Sequence, residues 1–367
     1  MRLKTTGIIL LLGTIILIIA SLPGLLTNAR VKEKSNSVAV EKPLASKQPQ
    51  LEVAAKTLEN GLMPNELGRI MILEYHLIGS PEAEWRRTPE NFRKDLEMLY
   101  ENGYYPIPLA DLVNRNLRVP AGKTPFVLTF DDSSQGQFRY LKNGDKLVID
   151  PQCAIGLMEQ FKNEHPDFPL TATFYVLPAI KPGLRLFGQE EYIGQKLNYL
   201  AQHGYEIGNH SYWHQNLGKT DDAGVQKQLA LQVKAVQSYV PGYQVHSLAL
   251  PLGVHAANRA LERDGEYEGT KYHHDSILLV GSGSAPSPYS IDFNPYLLER
   301  IQAGDTPWGP KTFVARYKKD PSLRYFSDGD PDTISVPKSM EGKLARQFMG
   351  KYKVVLENPI PVTVAKK

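Results

Sequence analysis

Between residue 70 and about residue 301, short β-prone apolar runs alternate with stretches whose apolar residues recur at helical spacing. The apolar runs lie at 70–75, 126–130, 172–177, 206–208, 247–250 and 277–280. The first helix is well signalled. Thr88 can cap it, Pro89 suits its first turn, and Phe92, Leu96, Leu99 and Tyr100 form one face before Gly103 ends it. A second carries Ile193, Leu197 and Leu200 and stops at Gly204. A third, over 222–239, shows Val225, Leu229, Val233 and Val236. Strand and helix in repetition predict an α/β architecture, with the helices as scaffold packing.

The ends read differently. Arg2 and Lys4 precede an apolar run over 7–26, which matches the roughly 20 residues that span a bilayer. It predicts a signal anchor or signal peptide over 1–29, with the rest of the chain outside the cytoplasm. Residues 30–68 are rich in Lys, Glu, Ser, Pro and Gln and read as a polar linker. A main domain is expected over 69–310, and 311–367 is left as an extension without an assigned role.

Candidate chemistry sits at strand ends. Asp131 and Asp132 follow the run that ends at Phe130, and α/β folds place reactive groups at the C-terminal mouths of strands. Taken alone, the pair also suits a turn or helix cap. His210 and His214 are spaced so that both imidazoles can reach one cation, although such pairs are often unrelated surface residues. Together the two sets offer two nitrogens and one or two carboxylate oxygens. That donor set suits a catalytic zinc with an open position. Two histidines and a carboxylate also make the facial triad of mononuclear iron oxygenases, a rival reading that the aspartate pair and the barrel-like alternation disfavour.

Thr129-Phe130-Asp131-Asp132 and His210-Ser211-x-x-His214 resemble the first two motifs of the polysaccharide deacetylases (carbohydrate esterase family 4, the NodB-homology domain). The resemblance implies a distorted (β/α) barrel. It also implies a metal-dependent hydrolase that removes N-acetyl groups from amino sugars of a cell-envelope or extracellular polysaccharide, peptidoglycan or poly-N-acetylglucosamine. By the same resemblance Asp131 is the general base, while Asp132, His210 and His214 hold a divalent metal, zinc by ligand type. The family's acid histidine usually follows a late apolar strand, and none follows 276–281 here. Residues 70–76 have the required shape and end in His76. This order resembles the circularly permuted branch that includes the poly-N-acetylglucosamine deacetylases and assigns the acid to His76.

One motif departs from the pattern. Where the family reads Arg-Pro-Pro-Tyr-Gly, this chain has Ala249-Leu250-Pro251-Leu252-Gly253. Either another cation orients Asp131 or the site is weakened, which motivates the alternative of a carbohydrate-binding protein on a decayed barrel. Trp213 and Pro251 are candidate substrate contacts. His255, His273 and His274 are expected to be bystanders, and Tyr175 to pack in the core. The net charge of +3 implies no polyanion partner, and nothing resembles a nucleic-acid module. The single Cys153 excludes an internal disulfide and lies too far from the start for a lipoprotein anchor.

Overall fold

Every strand of the main sheet runs parallel to its neighbours, the arrangement that results when helices return the chain between successive strands. The computed structural model describes residues 52–54, 58, 61–179, 185–281 and 283–358. The strands are β1 Met71–Tyr75, β2 Tyr104–Pro106, β3 Thr124–Phe130, β4 Thr173–Val176, β5 Glu206–Asn209, β6 Ser247–Ala249, β7 Ser276–Leu278 and β8 Ile301–Gln302. Their order is β7-β6-β5-β4-β3-β1-β8, with β2 beside the first half of β3. One stretch then joins the two edges. Leu298 bonds β7 through Ile277 and Leu279, while Ile301 and Gln302 pair with Leu73 and Glu74 of β1. The sheet thus curls into a distorted barrel, as expected.

Alternation along the strands divides the core. Met71, Leu73, Tyr75, Phe126, Leu128, Phe130, Phe174 and Val176 pack with α1 Pro89–Glu101, α3 Ala154–Glu164, α4 Ile193–Gln202 and α5 Asp222–Tyr239, whereas α2 Leu109–Asn114 packs into the other cluster. Ile72, Val127, Tyr175, Ala249 and Leu278 belong to a second apolar cluster on the other face. Gly208 makes room there, since a Cβ would stand 2.4 Å from the Tyr175 ring. The first helix starts and stops as its sequence predicts. The Thr88 hydroxyl accepts the Asn91 N–H, and Gly103 follows its end at φ +72°.

Short elements escaped the periodicity. β2 and β8 are too brief to show a repeat, and two antiparallel hairpins, Tyr140–Asn143 with Lys146–Ile149 and Asp264–Tyr267 with Thr270–His273, are largely exposed. The apolar run at 7–26 lies outside the described residues. Among the described residues no helix is long and apolar enough to cross a membrane.

The expected boundaries at 68 and 311 are not breaks in the fold. Glu52–Ala54 and Thr333–Pro337 flank Lys353–Glu357 in a three-stranded parallel sheet. Its Ile334, Val336, Val354 and Leu356 share the inner cluster with Ile72 and Val127. The C-terminal segment therefore completes the core through apolar residues too sparse to stand out against its Lys, Pro and Gly.

Glu66 ties these parts together. It accepts from the hydroxyls of Tyr325 and Ser327 and from the Ser335 N–H. Burial, reinforced by the nearby charge of Asp328, raises its carboxyl from 4.5 to about 8 against the pull of those bonds. Between these two values the folded chain keeps a proton that the unfolded chain releases. Stability should therefore fall as pH rises through that window and level off above it. Thermal melts from pH 5 to 8 are expected to show this fall and Glu66→Gln to flatten it; parallel curves for the two proteins would refute the assignment.

Candidate active site

Because the strands are parallel, their C-terminal ends share one rim. His76 follows β1, Asp131 and Asp132 follow β3, His210 follows β5, and Leu250 and Pro251 follow β6. The sequence-predicted residues His76, Asp131, Asp132, His210 and His214 meet there.

Asp131 is fully buried and held by a cation that sequence reasoning missed. Both of its oxygens accept from Arg300, at 2.8 Å each. Arg300 is itself completely buried. It also donates to Glu74 (2.7 Å), the Thr129 hydroxyl (3.1 Å) and the Leu279 carbonyl (2.8 Å). Glu74 in turn accepts the Gly281 N–H. Burial by itself would raise the Asp131 carboxyl. The charge of Arg300, then His210, the Arg300 hydrogen bonds and His76 outweigh it and hold Asp131 well below the usual carboxylate range. Burial raises the Glu74 carboxyl, with Arg300 opposing.

This answers the question raised by Ala249. The cation arrives from the stretch that closes the barrel, while the Ala249 carbonyl takes a different part and faces His210 Nδ1 at 2.9 Å. With Nδ1–H donating there, Nε2 is free for a metal. Arg300 lay hidden because a lone arginine between Leu298 and Ile301 carries no periodic signal.

The candidate ligands face one another. His210 Nε2 lies 3.5 Å from Asp132 Oδ1, and His214 Nε2 lies 3.7 Å from the same oxygen. Asp132 Oδ1 and His210 Nε2 are buried without a hydrogen-bond partner. Two ligands bonded to one tetrahedral ion at about 2.1 Å stand about 3.4 Å apart, so the orphaned pair fits a bound zinc better than a hydrogen bond. Burial would raise the Asp132 carboxyl, but His210 lowers it. Burial, with His210, pushes His214 down to about 4, which favours the neutral, metal-binding imidazole.

The loop that carries the histidines is braced from behind. Gln228 Oε1 accepts the N–H groups of Tyr212 and Trp213, the Asn209 side chain accepts the Ser211 N–H, and the Ser211 hydroxyl accepts the His214 N–H. A ring nitrogen of His76 and carboxylate oxygens of Glu74 and Asp131 lie within 4.8 Å of one another. With Arg300 already bonded to both carboxylates, a second cation is disfavoured there. Trp85 packs edge-on to His76 at 4.7 Å.

The polysaccharide deacetylase family model matches residues 167–268. Residues 167–268 are therefore similar to part of a polysaccharide deacetylase domain. The matched segment holds His210, His214 and Pro251 but does not include His76, Asp131 or Asp132, so those residues rest on geometry. Similar solved structures include the Streptococcus pyogenes deacetylase PplD in complex with acetate, 17% identical, covering 67% of this chain and 97% of that one at a TM-score of 0.49. IcaB from Ammonifex degensii is 14% identical, with 68% and 96% covered and a TM-score of 0.45. A pseudoenzyme of the same family from Bacillus anthracis is 19% identical, with 28% and 32% covered and a TM-score of 0.21. No curated protein matches.

The other candidate residues and the remaining histidines have the following surroundings. Trp213 is exposed beside the ligands, with the Lys227 ammonium 5.6 Å from its ring. Pro251 is buried on the rim loop, and Leu252 beside it is exposed. Tyr175 is buried in the barrel. His255 is bonded to Glu262, and His273 to Asp264 and Asp275. His274 is buried, with its ring against the Glu262 carbonyl and the Asn209 amide.

Arg300→Leu should cost about 3–5 kcal/mol in chemical denaturation, because it strands two buried carboxylates. A loss under about 1 kcal/mol would show that the guanidinium is not their essential counter-charge.

Proposed function

We propose that the chain is a metal-dependent hydrolase that releases acetate from N-acetylated amino sugars of an envelope or extracellular polysaccharide. The carrying observation is the pairing of an ionised, buried Asp131 with the partner-free Asp132 Oδ1 and His210 Nε2 beside it. Asp132, His210 and His214 would hold the ion, with zinc favoured by its nitrogen and oxygen ligands. When bound, such an ion lowers the pKa of water and polarises a carbonyl oxygen.

The chain's own groups would supply the proton transfers. Asp131, anchored through both oxygens, takes a proton from the attacking water. His76 lies near Asp131 at the rim and gives a proton to the departing amine nitrogen. Its position just after β1, before the aspartate pair in sequence, supports the permuted order. Trp213 and Trp85 offer exposed ring faces for sugars, and Pro251 supports the opposite loop. The apolar run at 7–26 supports an anchored or exported chain acting outside the cytoplasm.

The weakened-site alternative drew its motive from Ala249 and from the absence of a late acid histidine. Arg300 supplies the missing cation, and this favours an active enzyme.

Purified protein is expected to release acetate from N-acetylglucosamine polymers or peptidoglycan, and a chelator to stop it. A folded, zinc-loaded sample that released none from either would favour the binding-protein reading. Asp131→Asn should keep its metal and lose roughly 10²-fold or more in turnover. His76→Ala should likewise keep metal but lose most activity. Metal loss in the first variant, or full activity in the second, would overturn the corresponding role.

A further inference from the structure

A second buried cation lies behind the metal-ligand turn. Lys196 of α4 is completely buried, and its ammonium donates to two main-chain carbonyls, Phe187 O at 2.9 Å and Gly188 O at 3.0 Å. Burial lowers its pKa to about 8. Holding a buried charge with two carbonyl dipoles and the Phe138 ring, 6.0 Å away, is expensive, which calls for a compensating role.

The segment it grips is strained. Leu186, Phe187, Gly188 and Gln189 all have positive φ, at +43°, +70°, +57° and +52°. For the three non-glycine residues this is unfavourable and persists only when surrounding contacts enforce it. The Gln189 side chain is tied to the Tyr140 main chain at one end. At the other, the Phe187 N–H donates to the Ser133 carbonyl at 2.7 Å, and Leu186 N–H donates to Leu177 O. The Ser133 hydroxyl accepts the Leu177 N–H at 3.0 Å. Ser133 and Asp132 are themselves at φ +43° and +72°. One strained turn therefore props another, and the second presents the Asp132 carboxylate.

We propose that Lys196 is a positioning residue that holds Asp132 in its metal-binding orientation through Phe187 and Ser133. This rests on the proposed metal site. Without the two lysine bonds, the Phe187 and Gly188 carbonyls lose what offsets their strained conformation. The Phe187 N–H then no longer fixes Ser133.

The test is zinc titration of the metal-free full chain by competition with a chromophoric chelator. Lys196→Met keeps the aliphatic packing but removes both bonds. It should bind zinc about tenfold or more weakly with an unchanged circular dichroism spectrum, the size of effect expected when a ligand loses its outer support. Phe168→Leu, in the same apolar core but not in this relay, should lower the melting temperature yet keep zinc affinity. Equal affinity in wild type and Lys196→Met would overturn the inference, as would equal losses in Lys196→Met and Phe168→Leu. Should the methionine variant fail to fold, Lys196→Leu, which also lacks a donor, carries the same comparison. Failure of the wild type itself to bind zinc would instead remove the proposed metal site.

Discussion

The rim depends on one interaction, the two-pronged contact of Arg300 with Asp131. A carboxylate buried inside a barrel would ordinarily take up a proton and lose its charge. The guanidinium reverses that preference and fixes the orientation of both oxygens. It is itself stabilised by Glu74, Thr129 and the Leu279 carbonyl, which together with Asp131 account for all five of its N–H groups. Such a fully bonded cluster can be tolerated in a dry core, whereas a partly bonded one would be costly.

Two kinds of support converge on the candidate ligands. Polar side chains from α5 and from the end of β5 hold the histidine loop by its main-chain N–H groups. The aspartate turn leans on a strained neighbour gripped by a lysine. In both cases the ligand's direction is set by backbone geometry, which packing then enforces. A metal site built in this way is preorganised before any ion arrives.

The sequence made legible what repeats or clusters. Six barrel strands and three helices carried a clear period, and Asp131, Asp132, His210 and His214 stood out as pairs at strand ends. His76 followed from family order. What stayed hidden was isolated or remote. Arg300 is 169 residues from Asp131, and Glu74 reads as a lone charge in an apolar strand. Lys196 looks like any polar position on a helix until its neighbours are known. The end of the linker and the C-terminal segment gave no such signal, because their strands gain meaning only when Glu52–Ala54, Thr333–Pro337 and Lys353–Glu357 come together.

The stretch that joins β7 to β1 has a consequence for how the protein matures. Because Arg300 lies on it, a growing chain that has not yet delivered this residue holds Asp131 and Glu74 side by side with no counter-ion between them. Two neighbouring carboxylates of that kind cannot both stay ionised in a dry interior. Ionisation of Asp131 is therefore tied to completion of the ring, and a chain truncated before Arg300 would carry the recognisable aspartate and histidine motifs without the cation that keeps Asp131 charged.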